Sequence, residues 1–343
     1  MSLKVGVLGS GSFGVTIAQL LSKSQEVLIY TRRQEILHEI NSHNRIGRYS
    51  LSEKVKATMD LSKLGNECRL IFPVIPSEHF RSAIRKLSPH VGPGHIMIHA
   101  TKGLDTSPAF EDATTLSEIK KSVFTMSEVI SQETSVARIG AMAGPNLAKE
   151  ILEGQPAASV IASPFDEVIK LGREVLSDRL FIVYGSHHLK GIELAGALKN
   201  TIAIASGVLN GIGFGKNMQA LLITRGLREM ILISKSVGAA ETPFFGTAGI
   251  GDLIATTTST KSRNFTFGYK LGTGSTKADI FKDMSEVAEG YRTIRIAHAI
   301  SKATNLNTPV IKTLYEVVYE GKPIKKAMVD LMHTKLEEDV DFL

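Results

Sequence analysis

Short apolar runs alternate with amphipathic stretches through the first half of the chain. Segments 4–8, 27–30, 70–74, 96–99, 139–143 and 159–162 are brief, apolar and bounded by glycine or polar residues, as buried strands are. Helical spacing of apolar positions lies between several of them, over 77–87 and 165–176. That alternation predicts an α/β fold, a Rossmann-like doubly wound and mostly parallel sheet with helices on both faces. Pro73 and Pro76 weaken the third strand, because proline lacks a ladder donor and suits strand ends. From His187 onward the strand signal disappears and segments 188–207, 218–237, 293–303 and 309–320 read as helices. The expected organisation is a dinucleotide-binding Rossmann domain over 1–186 and an all-helical substrate-binding and catalytic domain over 187–343. The boundary near Gly185 carries no Pro/Ser-rich linker.

Composition narrows the function classes. A chain of 343 residues with 43% hydrophobic and 22% charged residues is long enough for two domains with real cores. The formal charge of +6 favours small anionic ligands, but the basic residues are scattered with no aromatic-studded basic stripe, which argues against nucleic acid. One cysteine, Cys68, permits no intrachain disulfide and fits a reducing compartment. The amino terminus runs directly into a strand pattern without a charged leader, so the expectation is a cytoplasmic protein. The longest apolar stretch, 189–209, is interrupted by Lys190, Glu193 and Lys199, and is read as a core helix rather than a membrane span. His187 and His188 are adjacent and point apart on a helix, so no metal site is expected. The acidic tail, 337–343, reads as a solvated end.

The first strand leads into Gly9-Ser10-Gly11-Ser12-Phe13-Gly14 and then a helical run. In this context the first glycine permits a tight turn, the second admits a pyrophosphate to the backbone, and the third allows close helix packing. The helix amino terminus attracts the anion. Where an acidic residue would hold a ribose 2′-hydroxyl, at the end of the second strand, the chain has Arg32 and Arg33. Two guanidinium groups favour a 2′-phosphate, hence NADPH/NADP over NADH/NAD, the alternative being a solvated arginine pair.

Lys199 stands in the run Leu194-Ala195-Gly196-Ala197-Leu198-Lys199-Asn200-Thr201-Ile202-Ala203, where its helical neighbours Ala195, Gly196, Ile202 and Ala203 offer an ammonium no counter-charge. A desolvated lysine titrates towards neutrality and suits a general acid or base. The alternative is a lysine that lays its stem on the apolar face and snorkels to water. Lys102, in Ala100-Thr101-Lys102-Gly103-Leu104, and Gly144-Pro145-Asn146-Leu147-Ala148 each follow a strand, at the sheet's ligand-binding end, and taken singly each is either a ligand contact or an ordinary strand-to-helix turn. Ser262, Arg263 and Asn264 offer a guanidinium fork and neutral donors for a phosphate, or the cap of a following helix. Asp252 in Gly251-Asp252-Leu253 is a further candidate site residue, or a turn residue beside glycine.

Taken in order with Asn210-Gly211-Ile212-Gly213-Phe214-Gly215, Leu222-Ile223-Thr224-Arg225-Gly226-Leu227-Arg228-Glu229-Met230 and Val287-Ala288-Glu289-Gly290-Tyr291-Arg292, these motifs span nearly the whole chain. Together they resemble the NAD(P)-dependent glycerol-3-phosphate dehydrogenases of bacterial type. The resemblance implies an oxidoreductase that interconverts glycerone phosphate and sn-glycerol 3-phosphate for glycerophospholipid synthesis, as a cytoplasmic homodimer. Lys199 matches the proton-transfer lysine, with Lys102 and Asp252 orienting it. Gly9, Gly11, Ser12, Phe13, Gly14, Arg32, Arg33, Lys102, Ala148, Arg263, Val287 and Glu289 match cofactor positions. Lys102, Gly144, Asn146, Lys199, Asp252, Thr256, Ser262, Arg263 and Asn264 match substrate positions. The chain departs from the usual pattern at Ala143, Asn146 and Leu147, where serine, a small hydroxyl residue and phenylalanine are common, and at Pro73 in a strand that usually lacks proline. A related lysine-dependent 3-hydroxy-acid or phosphogluconate-type dehydrogenase and a non-catalytic dinucleotide sensor are the competing readings.

Overall fold

The structure, a computed structural model, describes residues 3–284 and 288–333. Val287 and the tail 337–343 therefore lie outside the described residues. The chain forms two compact units, Met1–Asp105 with Phe124–Leu189, and Thr106–Val123 with Lys190–Leu343.

The first unit is built on an eight-stranded sheet. From one edge to the other its strands are Phe181–Ser186, Ala157–Ala162, Arg138–Ala143, Ile96–His99, Leu70–Pro73, Lys4–Leu8, Glu26–Tyr30 and Val55–Thr58. Arg138–Ala143 and Ala157–Ala162 pair antiparallel, and the other neighbours pair parallel. Side chains of adjacent strand residues point to opposite faces, so each strand feeds two cores. Val5, Val7, Val27, Ile29, Phe72 and Ile98 pack with Val15, Ile17 and Leu21 of helix Ser12–Leu21 and with Val168 and Val175 of helix Asp166–Leu176. On the other face Leu8, Leu28, Ile71 and Met97 pack with Leu64, Phe80, Ile84, Met126 and Ile130. The Rossmann-like sheet expected from the alternation is present, with both faces covered.

The two prolines mark a boundary rather than break a strand. The strand ends at Pro73, and Pro76 immediately precedes helix Ser77–Leu87. Two strands carried too little pattern to be seen in the sequence. Val55–Thr58 has four residues with Lys56 exposed among them, and Phe181–Ser186 is an edge strand whose outer face carries Ile182 and Tyr184 at 51% and 50% exposure.

In the second unit every residue of helix Leu189–Gly211 from Gly191 to Leu209 is buried. A helix that is apolar on all sides is a core helix, and although its length and hydropathy suffice to cross a membrane, its apolar window lies wholly within the protein. Glycine brings helix Arg263–Gly272 against it: a Cβ on Gly207 would meet the Phe265 carbonyl at 2.1 Å, and one on Gly268 the Ile204 carbonyl at 1.9 Å. Among the described residues from Lys190 onward no strand occurs.

The segment Thr106–Val123 falls with the second unit, although it precedes the boundary near Gly185. Its attachments explain this. Arg295, on helix Glu289–Ala303, grips both carboxylate oxygens of Glu111 and lies over the Phe110 ring, 5.4 Å from the centroid. No local pattern could announce a pairing across 184 positions.

Glu229 joins two helices of this unit. It projects from helix Lys216–Ser236, and its Oε1 and Oε2 accept the backbone N–H groups of Val310 (2.7 Å) and Ile311 (2.9 Å) at the start of helix Pro309–Val318. Thr308 supplies no side-chain cap there, so Glu229 satisfies two of the orphan donors from another helix. Arg228 adds a bond to the Asn307 carbonyl at 3.1 Å. Burial pushes the Glu229 carboxyl up to about 8, against the two backbone donors and the charges of Arg228 and Arg225, which pull it down. Glu229→Ala strands two buried N–H groups and should cost roughly 2–5 kcal/mol. A urea melt should show the lower midpoint with an unchanged slope, and Glu229→Gln should fall between; a parental midpoint in Glu229→Ala would refute this clamp.

Candidate active site

The glycine cradle of the first unit has the geometry its spacing predicts. Gly9 sits at φ 125°, where a Cβ would lie 2.4 Å from the Val74 carbonyl oxygen, and a Cβ on Gly14 would lie 2.1 Å from the Gly9 oxygen. The turn and the helix packing both exclude side chains at these positions. At Gly11 a Cβ would meet nothing within 4 Å, so the backbone is open to approach there. Gly11 is also the N-cap of helix Ser12–Leu21 and no side chain caps it, which leaves the helix start with the chemistry of an anion site. Ser12 is exposed and Phe13 half-buried against the adjacent core. The residues present thus fit a dinucleotide pyrophosphate.

The end of strand Glu26–Tyr30 is tied to this loop. The Ser10 hydroxyl donates to Thr31 Oγ1 (2.8 Å), and Arg33 Nη2 donates to the Ser10 carbonyl (3.2 Å). Arg32 and Arg33 are both exposed beside the cradle, and Arg33 also faces Glu35 at 4.0 Å.

Two strand ends of the same unit meet at Gly144. Lys102 Nζ donates to the Gly144 carbonyl at 2.7 Å. Gly144 has φ 155°, and a Cβ there would press on the Ala158 carbonyl oxygen at 2.8 Å. Asn146 Nδ2 donates to Ser159 Oγ (3.0 Å), whose one proton goes to the Ala143 carbonyl (3.0 Å). This network fixes the amide orientation. It leaves Asn146 Oδ1 buried without a hydrogen-bond partner among the described residues, an acceptor suited to a ligand hydroxyl. Ala148 opens helix Ala148–Leu152, which packs on the cradle helix through a Thr16 bond to the Ala148 carbonyl (3.5 Å).

In the second unit Lys199 is 4% exposed and does not reach water by snorkelling. Its helical neighbours offer no counter-charge, as expected, but another element supplies one. Nζ donates to Asp252 Oδ1 at 2.7 Å and to the Thr256 hydroxyl. Asp252 and Thr256 lie one turn apart on helix Asp252–Thr257, so one short helix presents both oxygens. Asp252 is 1% exposed, which makes this a fully desolvated ion pair rather than a turn carboxylate. Thr256 in turn donates to the Asp252 carbonyl (2.7 Å) and lies 3.2 Å from Oδ1.

The triplet 262–264 carries structural duties of its own. Ser262 caps helix Arg263–Gly272 by accepting the Phe265 N–H (3.3 Å). Asn264 Oδ1 accepts the Gly290 N–H (2.9 Å), beside Glu289 at the start of helix Glu289–Ala303. Arg263 is exposed as a residue, yet partial desolvation draws its guanidinium below the ordinary value while the Glu289 carboxylate opposes this.

Comparisons with known proteins agree along the whole chain. Residues 4–169 match the family model for the NAD-dependent glycerol-3-phosphate dehydrogenase N-terminus, and residues 188–329 match that for its C-terminus. A protein of Teredinibacter turnerae named glycerol-3-phosphate dehydrogenase [NAD(P)+] is 35% identical, over 99% of this chain and 97% of its own length. One of the same name from Acinetobacter baylyi is 36% identical, over 100% and 93%. The crystal structure of glycerol-3-phosphate dehydrogenase from Coxiella burnetii superposes with a TM-score of 0.86 at 28% identity, covering 97% of this chain and 99% of that one.

The desolvated pair makes a prediction independent of any reaction. Asp252→Leu leaves a buried ammonium without its counter-charge and should destabilise the fold by about 3–5 kcal/mol. Adding Lys199→Met should recover most of that loss in a thermal or urea melt, and a double variant no more stable than Asp252→Leu would show that the two groups are not coupled.

Proposed function

The chain belongs to the NAD-dependent glycerol-3-phosphate dehydrogenase family, and from that premise we propose that it reduces glycerone phosphate to sn-glycerol 3-phosphate, reversibly, with NADPH preferred over NADH. The observation that carries this reading is the buried Lys199 ammonium held by Asp252 and Thr256. It is a proton donor and acceptor with side-chain partners, placed in a chain that also has a dinucleotide cradle. When bound, the nicotinamide dinucleotide supplies or accepts the hydride at the substrate's middle carbon. In reduction, Lys199 gives its proton to the carbonyl oxygen as that oxygen becomes an alcohol, and in oxidation neutral Lys199 takes it back. A desolvated positive charge also stabilises the oxyanion that forms on the way.

By their match to the family motifs, Gly9, Gly11, Ser12, Phe13, Gly14, Arg32, Arg33, Ala148, Val287 and Glu289 are proposed cofactor contacts, and Lys102 and Arg263 serve both cofactor and substrate. Gly144, Asn146, Thr256, Ser262 and Asn264 are proposed substrate contacts. The orphaned acceptor of Asn146 supports this, because a substrate hydroxyl would satisfy it. Arg263 would hold the phosphate, whose binding energy orients the carbonyl. We further propose a domain boundary near Gly185, a cytoplasmic homodimer and a role for the product in glycerophospholipid synthesis.

Two measurements test the reading. Lys199→Ala should lower turnover about 100-fold or more while NADPH still binds, monitored as glycerone phosphate-dependent loss of absorbance and as ligand titration. Near-parental turnover would remove Lys199 from the mechanism. Replacing Arg32 and Arg33 together by serine should lower the NADPH over NADH ratio of kcat/KM by about 10- to 100-fold, since charge-assisted bonds to a 2′-phosphate are lost. An unaltered ratio would refute the arginine assignment.

A further inference from the structure

The helix that positions Lys199 cannot stand by itself. Asp252–Thr257 has six residues and continues directly from the π-helical turn Thr247–Gly251; even together they are shorter than an isolated helix sustains in water, and the last carbonyls of Asp252–Thr257 have no partners within it. One of them is fastened from the Lys199 helix. Ser206, fully buried and two turns after Lys199 on the same face, donates its hydroxyl to the Thr257 carbonyl at 2.8 Å. Ser206 thus holds one end of the short helix, while Lys199 engages Asp252 and Thr256 along its length.

The Ser206 hydroxyl is itself held. Gln219, 5% exposed on helix Lys216–Ser236, donates Nε2 to Ser206 Oγ at 3.1 Å, and its Oε1 accepts Lys216 Nζ at 3.0 Å. Only one arrangement of protons satisfies these contacts. Lysine can only donate, so the amide oxygen faces it; the amide N–H₂ then faces Ser206, whose single proton is left for Thr257. Each bond in the series points towards the Thr257 carbonyl, so each strengthens the next. The placement of Lys216 gains a reason as well. A cation at the first position of a helix opposes the helix dipole, and this first turn has no acidic residue to offset it.

We propose that Gln219, with Ser206 and Lys216, is a positioning residue that fixes helix Asp252–Thr257 so that Asp252 and Thr256 hold the Lys199 amine in register for proton transfer. The proposal rests on Lys199 as the proton-transfer group. The hydrogen bonds of Gln219 go to Ser206 and Lys216, and its effect passes through Ser206 and the Thr257 main chain.

The test compares full-length parent, Gln219→Leu, Lys216→Met and Lys199→Ala, each normalised to folded protein by circular dichroism. Gln219→Leu keeps the volume and removes both bonds. Its kcat for glycerone phosphate reduction should fall about 5- to 20-fold with KM within about twofold, the signature of lost transition-state positioning. The alkaline limb of its pH–kcat profile should move to lower pH by about half a unit or more, because a less firmly held amine gives up its proton sooner. A role confined to stability would reduce the yield of folded protein and leave kcat and the limb of the folded fraction unchanged. That result would overturn the proposal. Should Gln219→Leu fail to fold, Lys216→Met, which removes only the exposed end of the series, should lower kcat about two- to threefold with a limb shift of the same sign. Parental values there would overturn it equally. Lys199→Ala separates the two levels: if it stays active, the proton-transfer reading fails, whereas an inactive Lys199→Ala beside a parental Gln219→Leu rejects the positioning role alone.

Discussion

An ammonium buried among alanine, glycine and isoleucine demands a counter-charge, and much of the helical unit can be understood from that demand. Desolvating a single charge costs several kcal/mol after every relaxation the protein can make, so Lys199 is tolerable only if Asp252 arrives within bonding distance and stays there. Asp252 rides on a helix too short to be stable, which must therefore be held by its neighbours. The Lys199 helix meets the requirement by being buried along nineteen residues and by placing Ser206 where it can fasten the far end. The same helix gives up side-chain bulk at Gly207, opposite Gly268, and so draws in the Arg263–Gly272 helix whose first turn carries the candidate phosphate ligands. Asn264 then ties that turn to the start of the Glu289–Ala303 helix.

The sheet unit solves a different problem by different means. The main-chain N–H groups and helix terminus of the cradle suit an anionic ligand that comes and goes, since they need no buried counter-charge when it leaves. Rigidity there comes from steric exclusion at Gly9 and Gly14 and from the Ser10, Thr31 and Arg33 bonds that join the loop to the next strand. The cradle of the sheet unit thus offers main-chain groups, whereas the helical unit presents its buried ion pair through side chains. Lys102 shares both characters, being a side chain whose ammonium is held by the Gly144 main chain.

The same division decides what the sequence could reveal. The cradle is local: its glycines, the strand before it and the helix after it are contiguous, so spacing alone located the turn between strand Lys4–Leu8 and helix Ser12–Leu21. Short continuous apolar runs located six strands of the main sheet because both faces are buried there. It missed the four-residue Val55–Thr58 and the edge strand Phe181–Ser186. In the helical unit the informative contacts are remote. The pairing of Lys199 with Asp252 spans 53 positions, and only the resemblance to a family joined the two residues beforehand. The tie between Glu111 and Arg295, which moves Thr106–Val123 out of the sheet unit, left no local trace. Ser262 and Asn264 show why motif reading alone is incomplete, since the alternative of a helix cap is realised in Ser262 whatever ligand it also meets.

Glu229 and Lys199 are both buried ionisable groups in the helical unit, and the difference between their partners separates scaffold from chemistry. Glu229 is held by two main-chain N–H groups of a neighbouring helix start. Those donors cannot turn away without unravelling the helix they belong to, so any change in the charge of Glu229 is paid in fold stability. Lys199 is held by a carboxylate and a hydroxyl, both on side chains. Each of these can rotate about its own bonds as a proton leaves or returns, and the threonine hydroxyl can exchange donating for accepting without displacing the backbone. The proton transfer proposed for Lys199 needs partners of the second kind, set on a backbone that does not move. The short Asp252–Thr257 helix meets both conditions only because Ser206 anchors its main chain and leaves its side chains to respond.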